Sequence, residues 1–209
     1  MTTSGGNVTA YYYDAQNRVI RTASFVTGQT DSVISTFEYL GNTVVNSANN
    51  GLFDLVQTSY LNAHGFADSM KMSFGTFGDI MLRRKFDSEY RVIEQTLIGD
   101  VAGTEIDQVI THEYNGGNML LQTNVDNVAE KTEVISYQYY LDKVNKAKAF
   151  EEKTNLVNSN TNLLKRKLSN LNTSVDYTYQ LDADGNILKM TMLDEQSAET
   201  WNTYSWNCK

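Results

Sequence analysis

The chain has no proline and a single cysteine, Cys208. Without proline its turns must be built from Gly, Asn, Asp and Ser. A lone thiol excludes an intrachain disulfide and any metal site made of several cysteines. Cys208 also stands beside the last residue, where catalytic geometry is hard to hold. Histidine is scarce: His64 and His112 are the only two. They are far apart in sequence, and Glu113 alternates to the opposite strand face from His112, so no zinc set is recognisable. A Gly-x-Ser-x-Gly elbow and both Gly-rich phosphate signatures are missing. No cofactor is therefore expected, and the chain reads as noncatalytic. No apolar run approaches the roughly 18 residues of a spanning helix. Met1-Thr2-Thr3-Ser4-Gly5-Gly6 lacks the charged and apolar regions of a signal peptide, so export would need a targeting segment outside this sequence.

Positive charge is in deficit. The 209 residues carry 17 Lys and Arg against 25 Asp and Glu, a formal net charge of −8. Such a surface repels a phosphate backbone, and nucleic acid is not an expected partner. The cations are unevenly placed: Lys143, Lys146, Lys148, Lys153, Lys165, Arg166 and Lys167 fall in 143–172, against Glu151 and Glu152. The composition is 41% hydrophobic and 11% aromatic, with 13 Tyr, which is that of a folded chain. Its length fits one all-β domain over 1–209.

What the chain does have is a recurring unit: aromatic residues, an Asp or Asn, a small turn, then β-branched or aliphatic residues. It occurs as Tyr11-Tyr12-Tyr13-Asp14 with Val19-Ile20, as Phe37 to Asn42 with Val44-Val45, and as Phe86-Asp87 with Val92-Ile93. It returns as Tyr114 to Asn118 with Met119-Leu120, and as Tyr177 to Asn186 with Ile187-Leu188. Each copy reads as strand, tight turn, strand. Period-2 alternation dominates elsewhere, and short turns join antiparallel neighbours. The predicted fold is all-β, a long up-and-down meander of about 12–14 strands. A sheet that wide twists and curls, into an open or nearly closed barrel.

One stretch breaks the pattern. Residues 143–172 mix Leu163, Leu164, Leu168 and Leu171 at helical spacings with seven Asn. They read as a partly helical insertion, and a connection this long in such a meander is expected to act as a lid.

The stretch Asn162-Leu163-Leu164-Lys165, then Tyr177 to Met190, ending at Trp206-Asn207-Cys208, resembles a Bacteroidetes lipoprotein domain of unknown function with a porin-like fold. Tyr139 to Asn145 resembles its usual lead into a long connection. The resemblance implies a periplasmic or surface lipoprotein with a strongly curved sheet, anchored through a cysteine upstream of Met1, so that any membrane contact is through that lipid. It implies no activity. The repeated unit is also similar, more weakly, to the tyrosine–aspartate repeats of secreted shell-forming proteins.

Asp182-Ala183-Asp184-Gly185-Asn186 has the alternating oxygens of a Ca²⁺ loop. The rest of such a loop is missing, so a hairpin turn is the better reading. The cluster Arg83-Arg84-Lys85 reads as a solvated strand end. The candidate ligand-binding residues are Tyr137, Tyr139, Tyr140, Tyr177 and Tyr179. A tyrosine offers a ring face and a hydroxyl to a small molecule or glycan, although cross-strand packing is the safer reading for most of these rings. At Tyr139-Tyr140 one ring is expected to face away and be exposed. Three other readings compete with a ligand-binding envelope domain: a scaffold with a packed interior that contacts an envelope protein, a hydrolase using paired carboxylates, and a membrane-embedded barrel. Charges at Arg18, Arg21, Arg84, Glu94, Glu113, Glu133 and Lys189, with a mean hydropathy of −0.42, oppose the last.

Overall fold

A computed structural model of the chain describes residues 7–26, 32–49, 54–155 and 159–203. Cys208 and Trp206 lie outside the described residues. The first strands are β1 (Asn7–Tyr13), β2 (Val19–Val26), β3 (Ser32–Leu40), β4 (Thr43–Asn49) and β5 (Asp54–Leu61). Next come β6 (Ala67–Ser73), β7 (Gly78–Phe86), β8 (Val92–Val101), β9 (Thr104–Asn115) and β10 (Asn118–Asp126). The last are β11 (Lys131–Val144), β12 (Asn162–Ser169), β13 (Ser174–Leu181), β14 (Ile187–Asp194) and β15 (Glu199–Thr203). One helix, α1 (Lys148–Asn155), sits between β11 and β12.

Every strand pairs antiparallel with the next, and the sheet curls until its edges meet. They touch at a single Cα pairing, Asn7 with Asn202. That pairing is parallel because 15 up-and-down strands leave the first and last running the same way. No other β1–β15 pair occurs among the described residues, so the ring is a nearly closed barrel with no ladder along its seam.

The recurring unit has a specific geometry. In the turns starting at Asp14, Asn62, Asp87, Asp182 and Asp194, the side-chain Oδ1 accepts the backbone amides two and four residues on, at 2.8–3.1 Å. The fourth residue of each takes a positive φ: Asn17, Gly65, Tyr90, Gly185 and Ser197. In four of these hairpins the register shifts just before the Asp or Asn, at Tyr12/Tyr13, Tyr60/Leu61, Lys85/Phe86 and Gln180/Leu181. A bulge re-aims the strand, and the first residue after each turn, Val19, Ala67, Val92 or Ile187, is buried. The turn therefore closes the hairpin and also plugs one rim of the barrel. A larger cluster on the same rim joins Ala147, Leu163 and Ile187 with Tyr140, Tyr179, Leu181 and Met190.

The insertion is shorter than 143–172. β11 runs on to Val144, and Asn162–Ser169 is β12, paired to β11 and β13. The leucines at 163, 164 and 168 mimic helical spacing because β12 carries an extra residue: its register with β11 slips between Gln138 and Tyr139. Such a slip breaks simple alternation. What remains between the strands begins at Asn145, whose side chain ties Glu151 of α1 (2.8 Å) to the Asn160 carbonyl (3.3 Å).

Candidate functional site

Cross-strand partners share a face of a sheet, and residues alternate between faces. In β9 the inward row is Ile110, His112 and Tyr114. His112 is paired with Gln122 of β10, and Gln122 with Ile135 of β11. His112 and Ile135 are 8% and 2% exposed, while Thr111 and Glu113, on either side of His112, are exposed and face outward. This row identifies the inner wall, and it is strongly polar.

A chain of hydrogen bonds runs along it. The Tyr137 hydroxyl donates to Gln122 Oε1 (2.9 Å), and Gln122 Nε2 donates to Asn124 Oδ1 (2.7 Å). Asn124 Nδ2 donates to Glu133 Oε2 (3.1 Å), and the Ser169 hydroxyl donates to Glu133 Oε1 (2.6 Å). Beside it, Tyr114 donates to the Val92 carbonyl (2.9 Å). Buried polar groups cost free energy unless paired, and this wall pairs nearly all of its own. The exceptions are His112 Nδ1 and the Tyr139 hydroxyl, with Asn46 Oδ1 on β4 the other such atom among the described residues.

All five candidate tyrosines lie in one neighbourhood. Burial pushes the Tyr137 phenol up to about 12, with Tyr177 and Glu133 adding to it. Burial likewise raises Tyr139, helped by Tyr137, Tyr114 and Tyr179. Tyr140 meets Tyr179 edge to face, with centroids 6.3 Å apart, and donates to the Tyr177 carbonyl (3.0 Å). The expected exposed ring at Tyr139-Tyr140 is not found. Both rings are half-buried: Tyr139 lies among Tyr114, Tyr137 and Tyr179, and Tyr140 packs against the cluster of Ala147, Leu163 and Ile187. Above Tyr140 stands the Lys143 ammonium, 4.2 Å from the ring centroid.

Two further readings are corrected. Arg84 is no solvated strand end: it points inward, donating to the Ala67 carbonyl (3.2 Å) and Gln95 Oε1 (3.1 Å). Burial lowers its pKa. Glu133 also faces inward, so neither belongs among the outward charges. The outer wall has its own ion pairs, Lys71–Asp79, Lys85–Glu94 and Arg166–Asp176, each at 2.7 Å. The Asp182 carboxylate is spent on its turn, accepting the Asn186 side chain at 2.9 Å besides the two amides, as the hairpin reading required.

Sequence reasoning passed over Gln122 and Asn124, set His112 aside as no zinc ligand and read Glu133 as an outward charge. Their alternation was visible, but polar residues at period two normally mark the solvent face.

No protein-family model matches the chain, and no curated protein matches it in sequence. Its fold does match solved structures. A porin-like protein from Bacteroides uniformis superposes with a TM-score of 0.67 at 16% identity, covering 92% of this chain and 85% of that one. A porin-like protein from Bacteroides vulgatus gives 0.61 at 12% identity, covering 95% and 92%. The weaker similarity to tyrosine–aspartate repeats gains no support from these matches. Over more than nine-tenths of its length, the chain has the fold of porin-like proteins from Bacteroides.

Proposed function

We propose that the chain is a noncatalytic domain of the bacterial cell envelope, held by a lipid anchor in the periplasm or at the outer-membrane surface, whose inner wall binds a small polar molecule or glycan. The observation that carries this reading is the wall itself. Half-buried phenols on β9, β11 and β13 stand beside a row of side-chain amides, the lining that orients a polar ligand by hydrogen bonds and ring contacts. The envelope assignment rests on the likeness in fold to the Bacteroides proteins. The ion pairs of the outer wall favour a barrel surrounded by water, since charge on a lipid-facing strand is costly. Against catalysis stands the engagement of Glu133: both of its oxygens already accept hydrogen bonds.

One observation favours a second reading. The chain from Tyr137 to Ser169 satisfies itself without a ligand, as in a scaffold domain that contacts an envelope protein through its outside. Thermal-shift screening against saccharides and small polar metabolites separates the two, because a ligand of the folded state alone raises Tm. A shift that disappears in Tyr137→Ala and Tyr177→Ala supports binding. A flat response across the screen leaves the scaffold, and recovery of the protein in the cytosolic fraction of its own cells refutes the envelope assignment.

A further inference from the structure

The inner wall changes character on β6–β9. Inward residues pair across these strands in register: Met70, Leu82 and Leu97 form one row, and Met72 and Ile80 a second that reaches Ile106 through Gly99. Both rows are apolar. The next row, beside the plugged rim, sets Arg84 opposite Gln95. We propose that this stretch is a site for an aliphatic carboxylate, whose head group pairs with Arg84 and whose tail lies along the two apolar rows. The site goes beyond the polar ligand proposed above, since it uses another stretch of wall and a ligand of another class.

Arg84 is a cation without a counter-charge. It donates to the carbonyl of Ala67, the residue that plugs the rim, and to Gln95 Oε1, both neutral acceptors. Its Nη2 donates to nothing among the described residues, yet it is not one of the buried unpartnered atoms. That edge of the guanidinium is therefore accessible. Burial alone shifts the Arg84 pKa, downward; a nearby carboxylate would oppose the shift, and none does. The inward carboxylates are committed elsewhere, Glu133 to Asn124 and Ser169, and Asp126 to Gln108 and the Val128 and Ala129 amides. Asp68, next to Ala67, is exposed and accepts from Asn62 Nδ2 at 3.1 Å. Burial and Arg84 together hold the neighbouring His112 below its ordinary pKa, so near neutrality the guanidinium is the one charge of this patch. A half-buried cation with only neutral partners gains most from an anion.

The tail has an accessible surface to lie on. Met72, Leu97 and Ile106 are half-buried although they face inward, so the lumen reaches them. Met70, Ile80 and Leu82, at 7–8% exposure, supply the packed floor. Arg84 stands four residues along β7 from Ile80, about 13 Å, which puts the charge at one end of the strip. That placement selects an amphiphile. A small anion would leave the apolar rows wet, and an uncharged chain would leave Arg84 unpaired.

The test uses the whole chain, with calorimetry of decanoate, decanol, decyltrimethylammonium and acetate as probes. Salt at about 0.15 M damps the long-range repulsion from the rest of this acidic chain. Arg84→Met removes the charge and keeps an unbranched side chain, and Leu97→Asn makes the strip polar. Arg83→Met, an exposed cation on the outward face of the same strand, is the control. Decanoate should bind at least about tenfold more tightly than each other probe. Arg84→Met should weaken decanoate about tenfold and leave decanol unchanged, a difference that a merely structural role for Arg84 would not produce. Leu97→Asn should weaken decanoate and decanol alike, and Arg83→Met neither. Should Arg84→Met not fold, Leu97→Asn and the ranking of probes on the parent chain decide. No binding of decanoate, equal affinity for decyltrimethylammonium or acetate, or a decanoate affinity that ignores Arg84→Met overturns the site. The saccharide screen does not depend on Arg84, so failure here leaves the polar stretch of wall standing.

Discussion

Replacing Asp87 by alanine tests the recurring turn directly. Its Oδ1 accepts the Glu89 and Arg91 amides, both at 2.9 Å, and its Oδ2 accepts Arg91 Nε at 2.7 Å. Alanine leaves two amides without that acceptor, about 1 kcal/mol each. It also removes a partly exposed ion pair worth up to about 1 kcal/mol. Arg91 itself stays held, since its guanidinium sits 5.0 Å from the Tyr114 ring centroid and donates to the Gly116 carbonyl at 2.5 Å. The expected loss for Asp87→Ala is therefore about 2–3 kcal/mol. Asp87→Asn should cost only about 1 kcal/mol, because an amide oxygen accepts both turn amides, as Asn62 does in its own turn at 2.9 and 3.1 Å. Urea midpoints at constant m measure both values. Equal losses in the two variants, or a loss below about 0.5 kcal/mol in alanine, would refute the account of the turn. The charge adds a pH signature. Burial pushes the Asp87 carboxyl up, but hydrogen bonds from the Arg91 and Glu89 amides and the Arg91 side chain outweigh it and hold it below its ordinary 3.8. A depressed folded value means stabilisation that is present above 3.8 and lost as pH falls through the folded pKa. Asp87→Asn should therefore approach the parent in stability under strongly acid conditions.

Other consequences can be checked on the same protein. Gly99→Ala would place a Cβ 2.1 Å from the Asp79 carbonyl oxygen and 2.8 Å from Ile80 Cα, both backbone atoms. It should destabilise by about 2–3 kcal/mol, and a melting temperature matching the parent's would contradict the close approach of β7 and β8. Burial pushes Tyr114 and Tyr137 up to about 12 from an ordinary 10.0. Raised folded values mean stabilisation that is complete below pH 10 and lost as pH climbs toward 12. Phenolate absorbance followed with circular dichroism should show these groups ionising only with loss of the sheet. Ionisation of all 13 tyrosines near pH 10 with the fold intact would contradict their burial.

Much of the architecture was legible because turn chemistry is local. An Asp whose side chain caps amides two and four residues on, with Asn, Gly or Ser at the αL position, determines its hairpin from a handful of adjacent atoms. Two strands show where locality ends: β4, read from the sequence only as Val44-Val45 after its turn, and β12, not read as a strand at all. β4 (Thr43–Asn49) carries Asn46, Ser47 and Asn49, residues that favour turns in isolation but here sit in ladders with β3 and β5. β12 was disguised by its extra residue.

The inner wall was legible only in its aromatic half. Tyr137, Tyr139, Tyr140, Tyr177 and Tyr179 stand out by ring size, and the structure does gather them. Gln122, Asn124 and Glu133 could not be distinguished from solvent-facing residues, because both faces of these strands are polar and alternation separates two faces without saying which is inside. The sequence by itself determined an all-β meander, its hairpin turns and the absence of cysteine-based cross-links, since each depends on residues near one another in the chain. Only the tertiary structure decided that there are 15 strands, that their edges meet at Asn7 and Asn202, and that Glu133 and Arg84 point inward. Curvature is a property of the whole sheet, and the inside of a barrel exists only once the sheet has come round on itself.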